Sequence, residues 1–314
     1  MPGVRMGIKK ENRGILSKSL SNGKGVDRRI MTELDANKKA EELLKGAYDL
    51  HVHSSPSVFP RELDGFQLIR EADAAGMAGV MLKSHYESTA LRINRYSGCK
   101  AKAYGGLCLN CPAGGLNVYA VKNALRAGAK IVWMPTRDAK NSLVFGNMEG
   151  DFFDRRGITI LEQDGTLKEC VYDIMDAIKE KDAFLATGHI SPEESLILCS
   201  EGRKRGVNMI LTHPEFPRTR IGRDDQAELA KLGVVIEKNW FNLAQKSVMP
   251  EEMAETIRTV GSGHVYLATD RGQKGAPTPV SELKRFIAVM LTCGIAEAQI
   301  RDMVQKVPEE VVCR

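Results

Sequence analysis

Short apolar runs rich in β-branched residues alternate with amphipathic stretches of helical period from Tyr48 onward. Several amphipathic stretches begin with Pro-Glu-Glu or Asp-Asp and end on Gly, which is typical of helix starts and stops. Eight strands, each followed by a helix, predict an α/β protein with a (β/α)8 TIM barrel, and a doubly wound open sheet is the alternative. The predicted strands span 47–53, 79–85, 102–110, 130–136, 183–189, 208–213, 233–239 and 264–270.

The spacing of the strand ends favours the barrel. Successive ends lie 24 to 32 residues apart, except for the 53 residues between Thr136 and His189. This long interval contains Asp164-Gly165, a strong hairpin signal between two short apolar runs. We therefore expect a β-hairpin insertion after strand four, over about residues 138–169, on the face that carries active sites in such barrels.

Composition describes an ordinary globular protein. The chain has 314 residues, of which 43% are hydrophobic and 27% are charged, and a single barrel needs about 250 residues. The net charge of +5 is concentrated in residues 1–30, which hold eight basic and two acidic side chains. We expect 1–30 to be a basic, flexible N-terminal tail and 31–314 to be one barrel domain, without a nucleic-acid-binding surface.

Localisation and assembly follow from what the sequence lacks. It has no run of about 18 apolar residues and no secretory signal, so neither a membrane span nor export is expected. Seven cysteines without framework spacing indicate reduced thiols and a cytoplasmic protein. The apolar stretch 286–291 is expected to be core or a homo-oligomer face.

Histidines gather at the predicted strand ends. The chain has six, and five of them fall within two residues of a strand's carboxyl end, where strand eight instead ends in Asp270. The carboxyl ends of all strands of a barrel meet on one face, so these side chains are expected to converge. The five are His51, His53, His85, His189 and His213, while His264 opens strand eight at the opposite end.

The alternation of side chains along strand one indicates a metal site. His51 and His53 point to one side of the strand and Leu50 and Val52 to the other, so both imidazoles face the interior if the apolar pair packs on the helices. Two imidazoles with a further histidine and Asp270 suit a divalent transition metal. Zinc is the first expectation and manganese or iron(II) the alternatives, as one or two ions.

These residues resemble the amidohydrolase superfamily of metal-dependent hydrolases over about residues 47–310. More narrowly, DLHVHSSPS, LKSHYEST and LATDRG are similar to an uncharacterised amidohydrolase-related group, DUF6282. The resemblance implies that His51, His53, His189 and Asp270 hold a metal, and that Asp270 accepts the proton of the attacking water. His213 would be a second-metal ligand or a hydrogen-bond donor to the transition state. The implied reaction is hydrolysis of an amide, lactone or ester bond in a small molecule, with an anionic substrate among the expectations.

Strands two and four depart from that pattern. Strand four ends Met134-Pro135-Thr136, so the bridging carboxylated lysine or glutamate of two-metal members is missing. Strand two places Lys83 and His85 on one face, next to the substrate or the metal, where Lys83 would donate a proton or become a carboxylated bridge. A buried Lys83 paired with Asp49 or Glu237 is the structural alternative.

Three other functions stay open. The stretch around His85 also resembles the strand-two motif of the polymerase-and-histidinol-phosphatase (PHP) phosphoesterases, in which His85 would be a direct ligand. That family's acidic strand-three residue is absent, because strand three ends Leu109-Asn110. A metal-dependent decarboxylase or other lyase and a metal-binding protein without turnover are the remaining alternatives.

Substrate contacts are expected around the same face. Glu237 and Asn239 share one side of strand seven, where they would bind substrate or a second metal, or satisfy each other and their neighbours, and Glu237 is the second candidate for the catalytic base. Arginines in the loops after the strand ends would clamp an anionic group of a small-molecule substrate. These are Arg61, Arg137, Arg218, Arg220 and Arg271.

Overall fold

The strands form one parallel sheet that closes into a barrel. A computed structural model describes residues 31–146 and 156–314. The sheet follows chain order from β1 to β8, with every neighbouring pair parallel. This confirms the predicted (β/α)8 architecture over the open sheet. The strands are β1 (Tyr48–Val52), β2 (Gly79–Leu82), β3 (Lys102–Cys108), β4 (Ile131–Trp133), β5 (Phe184–Ala186), β6 (Asn208–Leu211), β7 (Val235–Asn239) and β8 (Val265–Ala268).

Helices connect the strands, with one exception. After β2 the chain forms only a 3-10 turn, Ile93–Arg95, so the expectation that every strand is followed by a helix is wrong there. Hydrogen bonds of the Thr89 hydroxyl to Leu82 O and Gly106 N hold this connection against β2 and β3 instead. The helices are α1 (Glu33–Leu44), α2 (Gly65–Ala74), α3 (Val118–Arg126), α4 (Lys140–Phe145), α5 (Glu169–Glu180), α6 (Pro192–Lys204), α7 (Arg223–Lys231), α8 (Trp240–Ala244), α9 (Pro250–Val260), α10 (Pro279–Thr292), α11 (Glu297–Arg301) and α12 (Val307–Val312).

Two apolar layers hold the barrel together. The outer layer lies between strands and helices, and includes Val52, Leu82 and Val132. The inner layer fills the barrel with buried side chains, among them Leu50 and Trp133. Apolar residues of α12 pack against the inner layer, so the C-terminal helix contributes side chains to the packed interior of the barrel. Barrels of this kind are packed cores and not pores, and the sites lie above the packed layers.

A β-bulge in β1 changes the expected alternation. The pairing of β1 with β2 shifts register between Asp49 and Val52. Leu50 therefore belongs to the inner layer and Val52 to the outer one, so the prediction that they share a side is wrong. A bulge inserts one unpaired residue and lets two neighbours oppose one partner. Here it lets Leu50 fill the interior directly beneath the inward-facing His51.

The barrel closes between β8 and β1. The amide of Asp270 donates to His51 O at 2.8 Å, and the amide of His53 donates to Arg271 O at 2.8 Å. Asp49 reinforces this seam, because its carboxyl group accepts from the Thr269 amide at 3.1 Å and the Thr269 hydroxyl at 2.5 Å. The closure places the carboxyl ends of the first and last strands side by side.

The predicted insertion is described only in part, because residues 147–155 lie outside the described ranges. It contains α4 and a turn at Asp164-Gly165 closed by one antiparallel bridge, Leu161–Leu167, in place of two full strands. Glu194 of α6 accepts from the Ile160 amide at 2.9 Å and so ties this segment to the barrel. The expected basic tail, 1–30, also lies outside the described residues. Within the described ranges, each helix is too short or too polar to cross a bilayer.

The seam predicts an unusual pH dependence of stability. Burial raises the pKa of Asp49 from 3.8 to about 7, against the lowering effect of its hydrogen bonds with Thr269. The native protein then keeps a proton that the unfolded chain releases between about pH 4 and 7, so this contribution to stability falls as pH rises, by at most about 1.4 kcal/mol per pH unit. Asp49→Asn should remove that slope in urea denaturation of chelator-treated protein at pH 5, 6 and 7.

Asp49→Ala is the contrasting variant. It leaves the buried Thr269 amide and hydroxyl without their acceptor, and should cost about 2–4 kcal/mol relative to Asp49→Asn at every pH. Stability profiles of Asp49→Asn and wild type that run parallel across this range would show that Asp49 is charged in the native state.

Candidate metal centre

Five imidazoles form a ring at the carboxyl ends of the strands. Each ring contacts the next around the barrel mouth, with centroid separations between 4.8 and 6.4 Å. The sequence placed these side chains on one face, and the structure brings them together there. In order around the ring they are His51, His53, His85, His189 and His213. His264 lies exposed at the other end of β8, outside the ring.

Three of the predicted ligands form a compact group. Asp270 Oδ1 lies 3.2 Å from His51 Nε2 and 3.1 Å from His53 Nε2. The ligand atoms of the three residues all lie within 4.8 Å of one another, and the group could hold a metal ion. The two histidines are buried, while the Asp270 side chain is 18% exposed and faces the mouth.

The opposite ring nitrogens are already occupied. His51 Nδ1 lies 2.7 Å from Glu237 Oε1, and His53 Nδ1 lies 3.0 Å from Lys83 O. Both partners are acceptors, so Nδ1 of each ring carries a proton. Nε2 of His53, and Nε2 of His51 once it has released its own proton, presents a lone pair towards Asp270. This is the tautomer in which histidine ligates a metal, with a carboxylate or carbonyl behind it. The donor set therefore fits a divalent transition metal.

The neighbouring carboxylates favour a positive charge at His51. Burial lowers the pKa of this imidazole, but the carboxylates of Asp270 and Glu237 outweigh it and raise the pKa to about 9. Burial and Arg61 lower the pKa of His53 to about 3, and burial lowers that of His213 to about 4. At neutral pH the imidazoles of His53 and His213 are thus neutral, and His51 is the point at which a cation is most strongly stabilised.

His189 and His213 complete the far side of the ring. His189 follows Gly188, whose φ of +61° and close approach to Met134 O leave no room for a side chain. Burial lowers the pKa of His189 well below its usual value, and among the described residues its buried Nδ1 has no hydrogen-bond partner. His213 and Asp270 both have positive φ, 29° and 51°, and non-glycine residues held in this region cluster at functional sites.

The two side chains of strand two contact different histidines of the ring. His85 stacks on the His53 ring at 4.8 Å and hydrogen-bonds Thr136 Oγ1 through Nδ1 at 2.9 Å. Lys83 Nζ lies 2.9 Å from His51 Nε2 and 5.2 Å from the centre of the Trp133 ring. Neither Asp49 nor Glu237 lies within 4 Å of Lys83 Nζ, so the paired-lysine alternative does not describe this side chain.

The predicted substrate-binding residues divide into two groups. Arg61 and Arg137 both lie over the Phe59 ring, at 5.6 and 4.4 Å, beside a cavity of about 360 Å³ lined by Phe59, His85 and Tyr86. Arg271 turns away from the mouth and pairs with Glu282 at 2.7 Å.

The remaining polar candidates serve the scaffold. Asn239 caps α8 by accepting from the Phe241 amide at 2.8 Å and donates to Glu237 at 3.1 Å. Arg218 donates to Ser142 O and Gly146 O, and Arg220 to Ser247 O. The polar pair on strand seven is therefore satisfied by each other and by neighbouring groups.

One protein family matches the part of the chain that carries the histidine ring. A family described as "Family of unknown function (DUF6282)" matches residues 46–237, more than half of the chain. The chain belongs to DUF6282. The matched region of this DUF6282 protein includes β1 to β6 and carries all five histidines of the ring, while Asp270 lies beyond it. No curated protein matches the sequence.

Solved structures share the fold at low sequence identity. An amidohydrolase from Pseudomonas aeruginosa superposes with a TM-score of 0.60 and 13% identity, covering 88% of this chain and 99% of that one. For a 2,6-dihydroxybenzoate decarboxylase from Rhizobium the values are 0.52, 13%, 86% and 99%. For dipeptidase AC, described as a metallo peptidase, they are 0.56, 12%, 86% and 99%. At these identities the likeness shows that the DUF6282 protein has the amidohydrolase fold.

Two aromatic residues of this DUF6282 site were not predicted. Trp133 lies under Lys83, and the Tyr266 hydroxyl donates to Glu237 Oε2 at 2.7 Å. Both sit within apolar strands, where an aromatic side chain reads as ordinary core. The parity of Tyr266 with Asp270, four residues apart, is the signal that could have placed its hydroxyl below the site.

Proposed function

We propose that this DUF6282 protein is a metal-dependent hydrolase that cleaves an amide, lactone or ester bond of a small molecule. The observation that supports this most directly is the convergence of His51 Nε2 and His53 Nε2 on the carboxylate of Asp270 at the barrel mouth. When both Nε2 atoms are unprotonated, three lone-pair donors face one another in a buried site, and a cation between them stabilises that arrangement. The shared fold with an amidohydrolase and a metallo peptidase supports the same reaction class.

His51, His53 and Asp270 would hold the ion, and His189 is the proposed further ligand, because its buried Nδ1 lacks a partner among the described residues. We propose zinc, with manganese or iron(II) as the other ions that suit nitrogen and carboxylate donors. The ion would polarise the scissile carbonyl and acidify water. Glu237 orients His51 through Nδ1, as a carboxylate behind a ligating imidazole does.

The chain's own residues would handle the proton and the developing charge. Asp270 faces the mouth and would accept a proton from the attacking water, then return it to the leaving group. His213 lies beside His51 and His189 and would donate a hydrogen bond to the substrate oxygen as charge develops on it. The buried walls around these groups exclude bulk water, which strengthens each of these interactions.

The metal itself provides the first test. Purified wild-type protein should retain about one equivalent of transition metal by elemental analysis, and His51→Ala combined with His53→Ala should lose it, because two of the three converging donors are gone. His264→Ala is the matched control, since this exposed histidine lies at the opposite end of β8. Full metal retention in the double variant would contradict the proposed site.

The second test concerns the proton. Asp270→Asn keeps the shape of the side chain and removes its basicity, so kcat should fall by about 10²- to 10⁴-fold in assays against amides, lactones, esters and phosphate esters. Near-normal turnover would move the base to Glu237. Release of carbon dioxide from an aryl carboxylate, or activity confined to phosphate esters, would contradict the proposed reaction.

Substrate recognition is proposed to use an anionic group. Arg61 lies at the mouth. Burial is the largest effect on its guanidinium and lowers the pKa to about 10, although the charge of Asp270 acts in the opposite direction. Its hydrogen bond to Ser57 Oγ, at 3.4 Å, is weak. Arg61 and Arg137 together over Phe59 would bind a carboxylate on the substrate.

Arg61→Met should separate charge recognition from chemistry. For an ester carrying a carboxylate, KM should rise about tenfold or more, because a charged hydrogen bond is lost, whereas the neutral ester of the same shape should keep its KM. Arg285→Met is the matched control, because that arginine contacts Glu282 and Trp240 outside the mouth. Equal effects on both esters would show that Arg61 only supports the loop.

A further inference from the structure

A lysine stands inside the histidine ring. Lys83 is 2% exposed, and its Nζ lies 2.9 Å from His51 Nε2. Among the described residues, no carboxylate oxygen lies within 4 Å of Nζ. A buried ammonium without a direct carboxylate partner is costly and is retained where another group stabilises its charge.

Two groups stabilise this charge. The face of Trp133 lies 5.2 Å below Nζ, within the range of a cation–π contact. The other is a chain of hydrogen bonds that forms through the neutral ring of His51, in which Lys83 donates to Nε2 and Nδ1 donates to Glu237 Oε1. The negative charge of Glu237 is thus transmitted to the ammonium through the imidazole.

The same chain prepares His51 as a ligand. An imidazole that accepts at Nε2 and donates from Nδ1 is in the neutral tautomer that a metal ion requires. However, Nε2 has a single lone pair, which can accept from Lys83 or bind a metal, but not both. Nζ therefore occupies the direction in which an ion would bind His51.

The charge around His51 limits how many ions fit. Glu237 and Asp270 bring two negative charges to the ring, and Lys83 returns one positive charge. One divalent ion reverses the sign of this buried group, and a second would add two uncompensated positive charges. The carboxyl end of β4 adds no negative charge that could balance a second ion, because Met134-Pro135-Thr136 supplies no carboxylate.

We propose that Lys83 is a built-in cation of the metal centre, which competes with a divalent ion for His51 Nε2 and restricts the site to one ion. This inference rests on the proposed function only in that the site binds a metal. On loading, Nζ leaves His51 and remains in the ring as a second positive group beside the ion. Lys83 thereby keeps His51 oriented before the ion arrives and weakens the affinity for it.

The test is metal affinity and stoichiometry, measured without any substrate. Chelator-treated wild type should bind one zinc per chain in competition titrations with a chromogenic chelator. Lys83→Met keeps the length of the side chain and removes the charge and the donor, so the protein should bind zinc about tenfold more tightly or better. Lys83→Arg keeps a positive charge and should not gain affinity.

Lys238→Met is the matched control. Lys238 is also a fully buried lysine, but it pairs with Glu215 on the outer side of β7. Its loss should lower the melting temperature without changing zinc affinity, which separates local charge from general destabilisation. A crystal structure of zinc-loaded wild type should show Lys83 Nζ beyond hydrogen-bond distance of His51 Nε2.

Each outcome is decisive. Unchanged or weaker binding by Lys83→Met, or two ions bound to wild type, would overturn the role of Lys83 while leaving the metal centre intact. Failure of both wild type and Lys83→Met to bind any divalent ion would overturn this inference together with the proposed function. Tighter binding confined to Lys83→Met would support both.

Discussion

The site depends on the closure of the barrel between its last and first strands. Two backbone hydrogen bonds, Asp270 N to His51 O and His53 N to Arg271 O, hold residues from opposite ends of the chain in register. Without this seam, Asp270 would have no fixed relation to the histidines, since nothing local in sequence joins them. Asp49 and Thr269 lie within the seam, and Gly272 lets the loop after β8 pass directly over His53 O. Barrel closure and the juxtaposition of Asp270 with the two histidines therefore depend on the same backbone contacts.

Charge explains why the surrounding groups are arranged as they are. Two carboxylates beside a buried imidazole create a strong preference for a cation at His51, which the fold meets in part with Lys83 and completes, in our proposal, with a metal ion. Neutral histidines surround this point because burial lowers their pKa values. The result is a polar ring that is buried and largely preorganised, supported from beneath by apolar side chains.

The barrel and the convergence of the histidines could be predicted because both follow from periodicity. Strand ends recur along the chain, and four of them are marked by histidines: His51 with His53, His85, His189 and His213. The bulge in β1 could not be predicted, because nothing in Asp49-Leu50-His51-Val52 distinguishes a bulged strand from a regular one. The sequence places Lys83 at the end of strand two. Its surroundings could not be predicted, because they depend on Trp133 and Glu237, which come from strands distant in sequence. The contacts of Arg271 and Asn239 were likewise set by neighbours, Glu282 and the start of α8, that only the fold brings near.

The bulge affects the side from which a small molecule reaches the site. Leu50 and His51 both project inward, so His51 borders the inner apolar layer that contains Leu50 and Trp133. These two apolar side chains form the floor of the site and are fully buried. In the part of the chain that the structure describes, the packed interior and α12 lie below that floor, so a small molecule reaches the ring from the loop side. In the proposed reaction, reactant and product would then use the same opening. Turnover in such a closed-ended chamber would depend on product release as well as on chemistry, and a product that retains the anionic group proposed for recognition would compete directly with the next molecule to enter.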